Sequence, residues 1–206
     1  MLSQGDITGD EDLQSLLKSY LREKYQKPGK VFLALVQRLD RPVSGLIVLA
    51  RTSKAAARLS EQMRNRTITK EYLAVVESTA VISGTLTNYV RKVEKNKKSE
   101  VFSEPTPGAL KAVSAVQHLE THNRFSLVSI TLHTGRYHQI RSQLASRGMP
   151  IAGDIKYGAK TSTDGSIALL CHRLEFQHPT RKEPMSFSTT PPDQSPWTHF
   201  YSLLSK

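Results

Sequence analysis

Residues Gln37-Arg38-Leu39-Asp40-Arg41-Pro42-Val43-Ser44-Gly45 constrain this chain more than any other stretch, because they lodge a carboxylate among apolar surroundings. Asp40 stands between two arginines, with the apolar runs Val31–Val36 before it and Leu46–Ala50 after it. An acid so placed belongs on a turn or strand end beside the core rather than on a solvated helix. Neighbouring cations favour the ionised form of such a carboxylate. Pro42 and Gly45 equally suit a tight turn closed by a structural ion pair. Taken alone, this run leaves both a working acid and a structural one open.

The 206 residues suffice for one domain or two small lobes sharing a core. A chain of this size buries roughly 70% of its unfolded surface and needs no staple of disulfides or metal. The single cysteine, Cys171, excludes an internal disulfide framework and a multi-cysteine zinc site; it reads as a small hydrophobe on a buried strand. No run of about 18 apolar residues predicts a membrane span, and a cytoplasmic setting is the default, with an organelle the second choice. Lys and Arg number 29 against 18 Asp and Glu, a formal charge of +11. Such an excess suits a phosphate-rich partner, and nucleic acid fits better than a membrane surface because no basic amphipathic helix carries an aromatic apolar face.

Periodicity predicts the elements. Leu13, Leu16, Leu17, Tyr20 and Leu21 mark one face of a helix over 10–25, with Thr8 or Asp10 as its cap and Pro28-Gly29 as its end. Residues 31–36 and 45–50 read as buried strands, and Ser53 as the cap of a helix through Asn65 with Ala56, Leu59 and Met63 inward. Thr69–Val76 alternates as a strand with Tyr72, Ala74 and Val76 on one face. The run Arg91–Lys98 reads as a solvated basic loop, 109–120 and 124–134 as a hairpin turning at Thr121-His122-Asn123, and 137–147 as a short helix stopped by Gly148. Strands at 167–176 and 185–188 follow, and the aromatic tail is expected to pack back on the body. Many strands with few helices predict an α+β fold, a mixed, largely antiparallel sheet flanked by a few helices.

Three further segments bear on Asp40. Lys70-Glu71-Tyr72 places a tyrosine on a strand, where core packing is its ordinary role. Thr134-Gly135-Arg136-Tyr137-His138-Gln139-Ile140-Arg141 places three basic side chains near a helix start, suited to gripping an anion or simply forming a solvated basic face. Gly153-Asp154-Ile155-Lys156-Tyr157-Gly158 reads as a polar turn.

In this order and spacing the segments resemble the RluA-type family of RNA pseudouridine synthases. The resemblance runs from about residue 1 to about residue 192, on Arg-Leu-Asp-x-x-x-Ser-Gly at 38–45, Lys-x-Tyr at 70–72, Thr-Gly-Arg-x-His-Gln-Ile-Arg at 134–141 and His-Pro at 178–179. It implies the family's fold and a single catalytic domain over residues 1–206. It implies that Asp40 is the catalytic aspartate, that Tyr72 stacks on the target uracil and is a candidate for handling its C5 proton, and that Arg141 pairs with the catalytic carboxylate. Arg38 would fill the gap left by the extruded nucleotide, and Arg136 and His138 would hold RNA backbone or position the helix.

The implied reaction breaks the N1–C1′ bond of uridine, turns the uracil and joins C5 to C1′. Nothing is oxidised and no group is imported, so no cofactor and no metal is expected. It needs an ionised carboxylate beside the ribose, a pocket that holds the detached base, and an acceptor for the C5 proton. Arginine suits the support of that carboxylate because its charge is permanent and its fork binds both oxygens. On this reading Arg141→Ala stays folded and turns over poorly.

The chain departs from the family pattern in two places. Gln37 stands where relatives have histidine, which removes a titratable ring. Relatives also begin with a strand ending in Asn-Lys-Pro-x-Gly, and Met1-Leu2-Ser3-Gln4 resembles the residues that follow it. The first strand is therefore expected to be missing, as is a separate N-terminal RNA-binding module. The expected partner is structured RNA, rRNA or tRNA, handled by a monomer away from membranes. The alternative from another class is a catalytically impaired RNA-binding protein with the same fold.

Overall fold

The computed structural model describes residues 12–161 and 164–204. Its backbone forms two compact units. One comprises Met1–Pro42, Ile47–Ile68 and Glu175–Ser186; the other comprises Val43–Leu46, Thr69–Leu174 and Phe187–Lys206.

In the first unit, helix α1 (Leu13–Lys24) starts at Asp12, whose carboxylate accepts the Ser15 N–H at 3.0 Å. The expected caps Thr8 and Asp10 lie outside the described residues. The expected apolar face is only half-covered, and Tyr20 is 52% exposed. Strand β1 is Ala34–Leu35, β2 is Ser44–Gly45 and β3 is Leu49–Ala50. β1 and β3 pair antiparallel, far shorter than the strands expected over 31–36 and 45–50. The reason is local: the chain between them leaves this pair, and β2 joins a different sheet. Helix α2 (Ser53–Arg64) is capped by Thr52, which accepts the Ala55 N–H at 3.1 Å; Ser53, the expected cap, is the first helical residue. Leu59 is fully buried, whereas Ala56 and Met63 are half-buried. The Gln62 side chain bonds both the N–H and the C=O of Gln177 at 2.9 Å, acting as a strand would.

The main sheet contains β4 (Thr69–Val76), β5 (Gly84–Val93), β6 (Lys98–Phe102), β7 (Leu110–His122), β8 (Phe125–Leu132), β9 (Leu169–Gln177) and β10 (Pro184–Ser188). Its order is β10-β9-β4-β8-β7-β5-β6, with β2 paired to β9. The ladders β4–β8, β8–β7, β7–β5 and β5–β6 are antiparallel, and β2–β9 is parallel. Helix α3 (Gln139–Ala145) completes the expected α+β architecture, with a short α4 (Tyr201–Leu204) near the end.

Strand β4 has the bounds expected but not a one-sided burial: Leu73 and Val75 on its second face are as buried as Tyr72, Ala74 and Val76. Val75 lies opposite Leu127, and neither is exposed. The basic run over 91–98 is not a loop throughout. Arg91, Lys92 and Val93 close β5 and Lys98 opens β6, so the turn spans only 94–97. The next hairpin turns at Asn123-Arg124 rather than at 121–123, since β7 runs through His122 and Asn123 takes the left-handed φ of 53°. The aromatic tail packs as expected: Trp197 and Phe200 are buried, and the His199 ring stacks on His122 and Phe125. Among the described residues no helix is long and apolar enough to cross a membrane.

Candidate active site

The structure places Asp40, half-buried, and Arg38, exposed, in the first unit. The Ser44-Gly45 that closes their motif belongs to the second unit, and its reason is steric. Gly45 has φ +116° and lies against β9, where an added Cβ would fall 2.4 Å from the Cys171 carbonyl oxygen. Leu46 N–H then donates to that same carbonyl at 2.9 Å. No side chain fits there, so the glycine is dictated by the parallel pairing of β2 with Leu170-Cys171.

Tyr72 is 7% exposed on β4, and its hydroxyl is hydrogen-bonded to the Cys171 thiol. Burial pushes that thiol up to about 11, so the sulfur stays protonated and inert. Lys70, two residues before Tyr72 on the same face, has its ammonium pKa lowered by desolvation. Its Nζ lies 3.8 Å from where a Cβ on Gly135 would be, an ordinary contact distance that sets the ammonium beside the 134–141 segment.

The 134–141 segment is locked from within. Thr134 Oγ1 accepts the Val113 N–H and donates to Gln139 Oε1, both at 2.8 Å. Gln139 Oε1 also accepts the Arg136 N–H at 3.0 Å, while Nε2 donates to the Val113 carbonyl at 3.2 Å. Arg136 Nε donates to the Lys111 carbonyl at 2.9 Å, holding its own chain's backbone. His138, in the left-handed region at φ 49°, turns the chain into α3, whose residues Gln139–Leu144 are all buried.

Arg141 therefore does not lie on a solvated basic face. It is 5% exposed and bound in a fork by Asp154, with Nε to Oδ2 at 2.7 Å and Nη2 to Oδ1 at 2.8 Å. The Tyr157 ring lies 5.1 Å from its guanidinium carbon. Removing Arg141 alone would strand the Asp154 charge in the interior, at a cost of about 3–5 kcal/mol. Arg141→Ala is therefore expected to lose stability as well as the turnover expected from sequence.

The Tyr157 hydroxyl accepts the Ser99 N–H at 2.7 Å and lies 2.9 Å from His138 Nδ1. The Tyr137 ring stacks on His138 at 3.9 Å. Burial first, and then the charges of Arg141, Lys156 and Lys92, push the His138 imidazole down to about 3. The second unit thus gathers Arg136, His138 and Arg141 on one turn-and-helix segment. Sequence alone presents Asp154 and Tyr157 only as parts of a polar turn, and Gln139 only as one position of the 134–141 motif. The pairing of the 153–158 turn with the 134–141 segment was the missing signal. Among the described residues no group of three or more His, Cys, Asp or Glu is placed to hold a metal ion.

Both the sequence and the fold have counterparts among known proteins. A sequence model of the family described as "RNA pseudouridylate synthase" matches residues 3–146, and the chain belongs to that family. The ribosomal large subunit pseudouridine synthase D of Xylella fastidiosa is 33% identical over 173 residues, covering 77% of this chain and 51% of its own length. The tRNA pseudouridine synthase C of Haemophilus ducreyi is 34% identical over 172 residues, covering 74% of this chain and 70% of its own. The chain spans about half the length of the first curated relatives it matches, 52% and 51%. The solved structure titled "Human RNA Pseudouridylate Synthase Domain Containing 4" shares the fold, with a TM-score of 0.78 at 20% identity, covering 100% of this chain and 86% of that one.

Proposed function

We propose that this chain isomerises uridine to pseudouridine in structured RNA, rRNA or tRNA, with Asp40 as the nucleophile or base at the ribose. One observation carries this reading: the family match over 3–146 includes Asp40, Tyr72 and Arg141, each within its own family motif.

The target base leaves its stack at a cost of a few kcal/mol. Stacking on Tyr72 returns about 1–3 kcal/mol, and Arg38 fills the vacated position. The resemblance assigns Arg141 to the support of the catalytic carboxylate, a task that a permanent charge suits. Arg136 and His138 shape the turn that presents α3. The charge of +11 supplies sequence-blind affinity for phosphates.

Pseudouridine and uridine are isomers that chromatography separates after digestion to nucleosides. Incubation with unmodified transcripts of rRNA and tRNA is expected to raise the pseudouridine content of at least one of them. Bound RNA without new pseudouridine would instead identify a catalytically impaired RNA-binding protein.

A further inference from the structure

We infer that the turn Gly153–Gly158 is the mount of Arg141, with Asp154 and Tyr157 as positioning residues that fix the plane of its guanidinium. The inference rests on the isomerase reading and deepens it.

A guanidinium is a flat fork, and two constraints define where such a plane lies. Asp154 sets the in-plane position, through one bond of 2.7 Å to Nε and one of 2.8 Å to Nη2. The Tyr157 ring, 5.1 Å from the guanidinium carbon, packs against the same group. Both come from one six-residue turn, which is itself held rigidly. Ile151 and Ala152, just before it, are bonded to Val76 and Val75 of β4. The Asp154 carbonyl accepts the N–H groups of Tyr157 at 2.9 Å and Ala159 at 3.1 Å. Gly158 closes the turn at φ 96°. The Tyr157 hydroxyl is tied to Ser99 of β6 and to His138 beside α3.

A carboxylate 1% exposed is an expensive way to stabilise a fold. Apolar residues of similar volume generally serve stability as well as a buried ion pair does. What a buried fork supplies that apolar packing does not is a fixed orientation of the arginine.

The test measures tritium release from RNA labelled at uridine C5, as kcat and as the RNA concentration giving half the maximal rate. Asp154→Asn is isosteric and is expected to lower kcat 30- to 300-fold while the half-saturating RNA concentration stays within twofold. Arg141→Lys keeps the charge but loses the fork, and is expected to lower kcat similarly. Because Asp154 acts through that fork, the double variant should be no more than threefold slower than the slower single one. Multiplying losses, or wild-type kcat in folded Asp154→Asn, overturn the assignment. Should Asp154→Asn fail to fold by circular dichroism, Tyr157→Leu decides. A three- to tenfold lower kcat at unchanged RNA saturation supports the mount, and wild-type kcat overturns it. Wild-type protein without tritium release overturns the isomerase reading and this assignment with it; wild-type release with unimpaired variants overturns the assignment alone.

Discussion

Nδ1 of His138 lies 2.9 Å from the Tyr157 hydroxyl, in an interior where burial and three cationic side chains hold the imidazole near a pKa of about 3. The unfolded chain returns that imidazole to about 6.5. Between pH 3 and 6.5 the unfolded state therefore binds a proton that the folded state refuses. The contribution of His138 to stability is complete above pH 6.5 and is lost as pH falls through that window. Urea midpoints at pH 7 and pH 4.5 should differ less in His138→Gln than in the wild type. An equal difference in both would contradict a neutral buried His138.

Gly45 meets β9 with no room for a side chain. Gly45→Ala combines a φ of +116° with a Cβ 2.4 Å from a backbone oxygen. The loss should be on the order of 3 kcal/mol, read from urea unfolding. A loss below 1 kcal/mol would mean that the β2–β9 pairing yields easily.

Cys171 is the only cysteine, 0% exposed, with its thiol pushed up to about 11 by burial. Iodoacetamide at pH 8 should leave the native protein unlabelled over the time in which the urea-unfolded chain reacts fully. Rapid native labelling would show that β9 opens locally.

Lys95 and Lys97 stand exposed on the turn between β5 and β6, whereas Lys92 pairs with Glu94 at 2.7 Å. RNA binding by Lys95→Ala/Lys97→Ala should show a shallower dependence of log K on log salt. Each lost phosphate contact reduces the slope by about 0.7–0.9. An unchanged slope would remove this turn from the RNA-binding face.

Elements governed by local periodicity were legible in the sequence. α2 and β4 fall within a residue of their expected bounds because their apolar spacing and caps are local. The fate of Ser44-Gly45 was not legible, since their partners Leu170-Cys171 lie more than 120 residues along the chain. The basic run over 91–98 resembled a loop because its lysines are solvated, yet Lys92 and Arg91 pair with Ser99 and Glu100 as ordinary strand residues. In the site, the family motifs drew attention to Asp40, Tyr72 and Arg141. Asp154 passed for a solvated turn acid, because an isolated Gly-Asp pair carries no sign of being buried. Only the packing of that turn against α3 turns its carboxylate toward Arg141.

The central claim is that Asp40 does chemistry on uridine. The most direct test is tritium release from 5-tritiated uridine in bulk cellular RNA, comparing wild-type protein with Asp40→Ala, both shown to be folded and to bind RNA. Release by the wild type and none by Asp40→Ala is the result expected. Equal release by both, or none from a wild type that binds RNA, would contradict the claim.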